Sequence, residues 1–362
     1  MIDTISLTIE KSCYCMNSDI KLRSSVRKGL TKRIYYPDKE QIRKFGYLPR
    51  VTEIDAVRKG GYSTFIKVEF SIPKLLYGNN FDEVEESDFG EICWKLKEAL
   101  RNMGIYVVNV KEIINAQVST IHYSKNIVLT DYSTPYSILK EVAKVNVSKL
   151  LDFNQSDFKN GGHAVKFHSN DFEVIFYDKL KDLQQAKLSD KRAIEQDNQL
   201  QLRLFDSLEM KKPFEVLRLE IRLGNRKKIK RYTKVEDLTF VNLFRAETSK
   251  RTLLETLDKI ENSYPIVPNE QTNEEFYAEL ITKNPKLIYQ KSLAFFGATM
   301  LINDIGVRRF REITAKFGYK SWYRLNQEIK NVKITKVNPF KYIREEIDKF
   351  ETIRLENYRD QM

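Results

Sequence analysis

A tyrosine, a glutamate and two arginines fall on the polar faces of two short predicted strands. In FEVIFYDK, strand alternation places Tyr177 on the face opposite the buried phenylalanines and valine. In LRLEIRL, the same alternation buries the leucines and turns Arg218, Glu220 and Arg222 outward. A phenol can act as a nucleophile, a carboxylate can bind a hard cation, and guanidinium groups bind phosphate oxygens in pairs. If the two strands share a sheet, this combination suits phosphoryl chemistry.

Tyr177 is the predicted nucleophile because it ends its strand just before a polar Asp-Lys step. A phenol that attacks a phosphodiester exchanges one ester for another, so a 5′-phosphotyrosine forms and a 3′-hydroxyl leaves without ATP. The ordinary phenol pKa is about 10, so the reaction needs Mg²⁺ or Mn²⁺ and a nearby cation, for which we predict Lys179. The alternative is a tyrosine that only packs, as most of the nineteen do.

Two further features have a structural as well as a functional interpretation. Glu220 could be a surface residue paired with its flanking arginines, or a ligand of a divalent cation. The run NRKKIKR, which includes Arg226, Lys227 and Lys228, could be a solvated charged face or a set of phosphate contacts.

Period-two and period-3.6 patterns predict the elements that position these residues. The tyrosine strand forms a hairpin with the strand around residues 164–168, and further strands are expected at 2–10, 64–72, 106–110 and 117–129. Helices are expected at 89–103, 136–151 and 180–210, the last as one helix or two, and the basic stretch 21–33 is expected to be a mobile loop. No internal repeat is apparent. The pattern predicts an α+β fold with a largely antiparallel sheet and flanking helices.

Helical periodicity dominates after the glutamate strand. We therefore predict two domains, one at residues 1–245 with the strands and one at 246–362 made of helices. Gly318 separates two short amphipathic patterns in a helix-turn-helix-like outline. The helical domain could bind duplex DNA or only pack.

Composition limits the class of protein. The 362 residues carry a net charge of +12, which favours a polyanionic partner such as nucleic acid, although a basic protein without special affinity is the alternative. Three cysteines make neither a disulfide framework nor a metal-finger spacing, which is typical of a cytoplasmic protein. No apolar run is long enough for a membrane span, and there is no phosphate-binding loop for ATP. A soluble protein that does not itself power a helicase is expected.

Six segments occur in the order found in one known family. They are MIDTISL, VEFSIPKLLYGNNF, QVSTIHYSKNI, FEVIFYDKLKDL, FEVLRLEIRL and LAFFGATMLIND. In this order and spacing the chain resembles the gene-two-type replication initiators of filamentous phages and related plasmids, which are rolling-circle nicking enzymes. The resemblance spans nearly the whole chain, although each segment alone is short.

The resemblance implies roles for individual residues. Tyr177 matches the family nucleophile, and the match supports His122 and Glu220 as metal ligands. We predict a mixed metal set drawn from Glu220, His122 and Glu69. Arg218 and Arg222 are the predicted phosphate contacts beside it, together with Arg226, Lys227 and Lys228 of the basic run, which follows the glutamate strand directly.

The sequence also departs from a pattern of many rolling-circle nickases. The usual pair of histidines separated by one hydrophobic residue is missing, because His163 and His168 are five residues apart. A second tyrosine one helical turn after Tyr177 is missing too, because Leu180 and Lys181 occupy those positions. The metal ligand set is therefore open, and a single-tyrosine scheme is implied.

The function expected from these features is nicking of one strand at a phage or plasmid replication origin. The covalent intermediate would release a 3′-hydroxyl primer and later rejoin the strand, with origin DNA and a host helicase as partners. The alternatives are an origin-binding replication protein without catalysis and a mobilisation relaxase. The origin sequence, the metal and the oligomeric state do not follow from the sequence.

Overall fold

The protein is built on one ten-stranded sheet in which every neighbouring pair is antiparallel, with the strand order β3-β4-β5-β6-β1-β8-β12-β11-β10-β9. The computed structural model describes residues 1–17, 22–27, 30–37, 39–58, 61–129, 134–145, 152–156, 163–184, 215–263, 272–333 and 340–356. The strands are β1 (Ile2–Glu10), β2 (Tyr14–Met16), β3 (Leu22–Arg27), β4 (Leu30–Tyr35), β5 (Arg50–Arg58), β6 (Gly61–Ser71), β7 (Ile105–Val107), β8 (Gln117–Leu129), β9 (Asp152–Ser156), β10 (Ala164–Ser169), β11 (Phe172–Asp178) and β12 (Glu215–Leu223). The short strands β2 and β7 form a separate pair.

Twelve α-helices accompany the sheet within the described residues. They are α1 (Lys39–Phe45), α2 (Ile72–Tyr77), α3 (Phe89–Asn102), α4 (Val110–Ile114), α5 (Pro135–Ala143), α6 (Arg226–Thr233), α7 (Phe240–Leu243), α8 (Ala246–Glu261), α9 (Asn273–Lys283), α10 (Tyr289–Ile313), α11 (Tyr319–Asn331) and α12 (Lys341–Lys349). A large antiparallel sheet with helices agrees with the α+β prediction. None of these helices combines the length and the apolar character that crossing a bilayer needs.

The two faces of the sheet have different surroundings. Ile5, Leu7 and Ile9 of β1 alternate onto one face and are almost completely buried in the main apolar core, to which α3, α5 and α8 contribute. We call this the core face. The opposite face carries polar side chains, among them His122 and Glu220, and we call it the site face.

The sheet consists of two halves with the same topology. The first half contains β1 and β3 to β6, and the second contains β8 to β12. In each half, the first strand in sequence lies at the centre of the sheet and the last strand in sequence pairs with it. The last strand is β6 beside β1 in the first half and β12 beside β8 in the second. The repeat escaped the sequence analysis because the halves share topology and little sequence.

The register relates individual residues of the two halves. Glu69 in β6 lies opposite Ser6 of β1, and Glu220 in β12 lies opposite Ser124 of β8. The flanking patterns Lys-Val-Glu-Phe and Arg-Leu-Glu-Ile are similar. A pseudo-twofold axis between β1 and β8 therefore relates the two glutamates.

The predicted tyrosine hairpin is confirmed. Strands β10 and β11 pair from Ala164 opposite Tyr177 to Ser169 opposite Phe172. The turn uses Asp171 at a φ of 59°. Gly224, just after β12, donates its backbone N–H to Asp171 O at 2.8 Å, and a Cβ there would lie 3.2 Å from Asp171 Cα. A side chain here would force the two chain segments apart by a few tenths of an ångström, so their close approach favours glycine.

The structure corrects three predicted elements. The basic stretch 21–33 is not a loop, because β3 and β4 form a hairpin there that continues the sheet beside β5. The predicted helix 136–151 ends at Ala143 as α5, and the predicted strand 106–110 is reduced to β7. Most of the predicted helix 180–210 lies outside the described residues.

Helices beyond residue 245 pack in two places. Leu253 of α8 and Ile343 of α12 belong to the same core as the sheet. A second apolar cluster, which includes Leu280 and Phe310, joins helices α9 and α10. The core of the sheet therefore extends past residue 245, and α9 and α10 carry a smaller core of their own.

Candidate metal and nucleophile site

Tyr177 is the last residue of β11 on the site face, and its side chain points toward β12. Its side chain is largely buried, with 7 % of the residue exposed. The register sets Tyr177 opposite Arg218, and its hydroxyl donates to Oε2 of Glu220, the next residue of β12 on that face, at 3.1 Å. The tyrosine and the glutamate that the sequence analysis singled out are thus in direct contact.

Glu220 is the centre of the site. Its Oε1 accepts a hydrogen bond from Arg222 Nε at 2.7 Å and lies 3.4 Å from His122 Nδ1. Burial alone would raise the pKa of Glu220, but the contacts with His122 and Arg222 outweigh burial and hold the pKa well below its ordinary value. Glu220 is therefore a buried carboxylate that stays ionised.

Asp3 completes the group. Ligand atoms of Asp3, His122 and Glu220 all lie within 4.8 Å of one another. Simple alternation would put Asp3 with Ile5 on the core face, but the register of β1 against β8 shifts between Ile2 and Thr4. This irregularity lets the Asp3 side chain meet the site face, where its Oδ1 is 3.2 Å from Arg218 Nη1.

The chemistry of the three ligands fits a hard or borderline divalent cation. Two carboxylates and one imidazole offer oxygen and nitrogen atoms, and Asp3 and His122 are partly exposed, so the group is accessible from solvent. The expectation of a metal-binding group is thus supported at this level.

The metal set that the sequence analysis named is changed in one member. His122 and Glu220 come together as expected, but Asp3 and not Glu69 is the third residue of the group. Glu69 lies on β6 opposite Ser6 and Arg50, on the other side of β1 from His122. Strand alternation alone does not predict Asp3 in this group, because its position depends on the irregularity in β1.

Arg218 is placed differently from the DNA contact that the sequence suggested. It is 2 % exposed, and its guanidinium donates to Asn126 Oδ1 at 2.6 Å and to Asn80 O at 2.9 Å in addition to its contact with Asp3. Its charge is thus used inside the protein, where it positions Asp3. A DNA phosphate would therefore have to compete with these internal partners for the Arg218 guanidinium.

Arg222 is the more accessible arginine of β12. Its side chain is 39 % exposed, and it contacts Glu220 and, at 3.5 Å, Oε2 of Glu173. It lies at the edge of the site with part of its guanidinium open to solvent, which is compatible with the predicted phosphate contact.

Lys179 lies near the tyrosine, as expected, but it is buried. Its Nζ is 5.6 Å from the centre of the Tyr177 ring and 3.2 Å from Asp182 Oδ2. Burial lowers the pKa of Lys179 to about 8, and the charge of Arg218 contributes. The amine therefore changes protonation close to neutral pH.

The environment of Tyr177 favours the protonated form of its phenol. Burial raises the pKa of Tyr177 well above its ordinary value, and the charge of Glu220 raises it further. Arg218 acts in the opposite direction. The hydroxyl is therefore a hydrogen-bond donor to Glu220 unless a further positive charge enters the site.

The basic run after β12 forms helix α6. Asn225 caps this helix by accepting from Lys228 N at 2.9 Å, and Arg226 Nη2 donates to Gln117 Oε1 at 2.7 Å. Arg226 and Lys227 are exposed. Their position just beyond the glutamate strand is as the sequence indicated.

Comparison of this chain with protein-family models, with curated proteins and with solved structures found no match.

Proposed function

We propose that this protein nicks one strand of DNA with Tyr177 as the nucleophile and a divalent cation bound by Asp3, His122 and Glu220. The observation that carries the proposal is the 3.1 Å contact between the Tyr177 hydroxyl and Glu220, inside the group that could hold the metal. The net charge of +12 favours a nucleic acid as the substrate.

The residues of the site would divide the work. Tyr177 supplies the oxygen that attacks the phosphorus, and Glu220 accepts its hydrogen bond and fixes its direction. Arg218 holds Asp3, and Arg222 orients Glu220 while it presents part of its charge to a phosphate. When bound, Mg²⁺ or Mn²⁺ would supply positive charge that stabilises the developing charge of the phosphate and the phenolate.

The reaction exchanges one phosphodiester for another. The Tyr177 oxygen forms a bond to phosphorus and loses its proton, while the bond to the 3′ oxygen of the preceding nucleotide breaks. That oxygen takes up one proton and leaves as a 3′-hydroxyl, so the exchange neither gains nor loses a proton overall. We place this activity at the origin of a phage or plasmid that replicates by a rolling circle, in the role that the family resemblance implies. The free 3′-hydroxyl would prime synthesis, a host helicase would open the duplex, and reversal would rejoin the strand.

The test is a search for the covalent adduct. Single-stranded origin DNA is incubated with the protein and Mn²⁺, and tryptic peptides that carry nucleotides are identified by mass spectrometry. We expect the adduct on the peptide that contains Tyr177 and none with Tyr177→Phe. Tyr136→Phe, which changes an exposed tyrosine of α5, is the matched control and should leave the adduct unchanged.

Two results would reject the proposal. An adduct on a different tyrosine would exclude Tyr177 as the nucleophile. Binding of origin DNA that needs no metal and gives no adduct would favour the alternative of an origin-binding protein without catalysis, whereas nicking only at a transfer origin would favour a relaxase.

A further inference from the structure

The first half of the sheet carries three cations on the site face. Thr52 of β5 pairs with Lys67 of β6 on one side and with Ile34 of β4 on the other, so these residues share a face. Lys32 and Arg50 lie two residues from Ile34 and Thr52 and therefore share it too. Lys32 and Arg50 are exposed, and Lys67 is half-buried. We call these three residues the cationic cluster.

The cationic cluster has little compensation within the protein. Neither Lys32 nor Lys67 forms a hydrogen bond or ion pair with another described residue, and Arg50 contacts the ring of Tyr36. Partial burial lowers the pKa of Lys67, and the neighbouring charges of Lys32 and Arg50 lower it further, although Glu69 opposes the shift. A half-buried lysine beside two exposed cations favours an anionic partner.

The related position in the second half makes the difference clear. Lys67 corresponds to Arg218, which lies in the same place relative to its glutamate. Arg218 is neutralised by Asp3 inside the protein, whereas Lys67 forms no ion pair with any residue in the described part of the chain. The charge of Lys67 therefore remains available on the site face of the first half, whereas the corresponding charge of Arg218 is neutralised by an ion pair in the second half.

An open cavity of about 360 Å³ is lined by Thr8, the residue of β1 that lies opposite Lys67. Phe65, which precedes Lys67 by two residues on the same face of β6, lines it together with Thr8 and Gln117. Glu10 and Glu112 also line it. These carboxylates would repel a phosphate, but amide, hydroxyl and carboxylate groups beside an aromatic ring suit a nucleobase.

We infer that the first half binds a single strand of DNA, with phosphates along Lys32, Arg50 and Lys67 and one unstacked base against Phe65. Cations that follow a backbone beside an aromatic ring are the combination that binds single strands, because a paired base must first be unpaired and unstacked, at a cost of a few kcal/mol, before it can enter a cavity. Only β1 separates β6 from β8, so the strand of Lys67 lies about 10 Å from the strand of His122, and β5 and β4 with Arg50 and Lys32 lie one and two strands farther away. The inference rests on the proposed function, since this strand is the one that Tyr177 would cleave.

The first experiment measures the salt dependence of binding. A fluorescent mixed-sequence single strand is titrated with wild-type protein and with the triple variant Lys32→Gln, Arg50→Gln and Lys67→Gln. We expect the slope of log affinity against log salt to fall by about 2, since each lost phosphate contact removes about 0.7. The control neutralises Lys97, Arg101 and Lys341 on helices α3 and α12, whose buried sides join the main core, and should keep the wild-type slope.

The second experiment addresses the cavity. Phe65→Leu keeps an apolar side chain of similar length but removes the ring. We expect about a tenfold loss of affinity for the single strand, from the stacking that one base would lose, and no change for a strand of abasic sites. Circular dichroism and thermal unfolding of both variants show whether the sheet is intact.

The outcomes separate this inference from the proposed function. An unchanged salt slope in a folded triple variant would overturn the cationic cluster as a binding surface, even if the protein nicks DNA. Weakened binding of duplex but not of single strands would overturn the choice of occupant. If Tyr177→Phe and wild-type protein both fail to cleave while the triple variant loses its slope, the surface stands and the nicking proposal fails.

Discussion

Thr4 and Thr52 in the first half of the sheet occupy the positions that His122 and Tyr177 hold in the second half. The register makes this correspondence specific, because Thr4 pairs with His122 across the centre and Thr52 lies opposite Lys67 as Tyr177 lies opposite Arg218. Both halves keep a glutamate at the related position. Among the described residues, His122, Tyr177 and Glu220 of the candidate site lie in the second half, and the first half contributes Asp3 from β1.

The two halves share the spacing of their site-face residues, which the sheet fixes, and they differ in the side chains that occupy those positions. Antiparallel pairing fixes the spacing of the site-face residues in both halves equally. The difference lies in compensation of charge, since Asp3 neutralises Arg218 and faces the second half. One half is thus a closed polar cluster around Glu220, and the other is an open cationic surface.

The largest difference between the two halves is expected when each of the two related glutamates is changed to glutamine in turn. Glu220→Gln should lower nicking about 10²- to 10³-fold and weaken Mn²⁺ binding, because it removes the carboxylate charge shared by the metal group and Tyr177. Glu69→Gln should change Mn²⁺ affinity less than about twofold. Calorimetric titration with Mn²⁺ and a nicking assay measure both. A large loss of metal affinity in Glu69→Gln would return Glu69 to the ligand set.

The next effect concerns the two related cations and stability. Arg218→Met should lower the free energy of unfolding by about 3–5 kcal/mol, because it leaves Asp3 and several buried acceptors without a partner. Lys67→Met should stay within about 0.5 kcal/mol of the wild type. Urea unfolding at neutral pH tests the pair. Equal losses of unfolding free energy in the two variants would mean that Arg218 and Lys67 do not differ in how their charges are neutralised within the protein.

A third effect is the pH dependence that buried Lys179 gives to stability. Its pKa is about 8 in the fold, below the ordinary value of 10.5 that it regains on unfolding. The unfolded state therefore binds more protons between these values, so the lysine makes stability increase as pH rises through 8. We expect the free energy of unfolding of the wild type to gain about 2 kcal/mol relative to Lys179→Met between pH 8 and 10.

Urea unfolding at several pH values measures this difference, and parallel curves for wild type and variant would refute it. Lys67 provides the comparison from the first half, because its pKa is lowered less strongly by partial burial. Lys67→Met should therefore show a smaller divergence from the wild type than Lys179→Met.

The smallest effect is expected from the basic run that starts α6. Changing Arg226, Lys227 and Lys228 to glutamine should flatten the salt dependence of DNA binding by about 1 to 2 units of slope, because DNA that binds the variant would release fewer counterions. Arg226 and Lys227 are exposed, and Lys228 is half-buried. Fluorescence anisotropy over a range of salt concentrations measures it. A slope equal to that of the wild type would show that the basic run of α6 does not contact DNA phosphates, so that only the sheet face would remain as the binding surface.

Much of the fold follows from local patterns in the sequence. Strand β8, the β10–β11 hairpin and helix α3 were predicted within a few residues, because each has a clear alternation or helical spacing. The β3–β4 hairpin was predicted as a loop because KLRSSVRKGLTKR has no apolar alternation. Its strand pairing depends on β5, which lies beyond it in the sequence.

The sequence by itself determined the strands that hold Tyr177, His122 and Glu220 and the faces on which these side chains stand, because alternation is a local property of an extended chain. Only the tertiary structure decided that Asp3 joins them and that Glu69 does not, and that Arg218 is buried while Lys67 stays open. These outcomes depend on which strands become neighbours and on one irregularity in β1. Neither is encoded in the spacing of residues along a single strand.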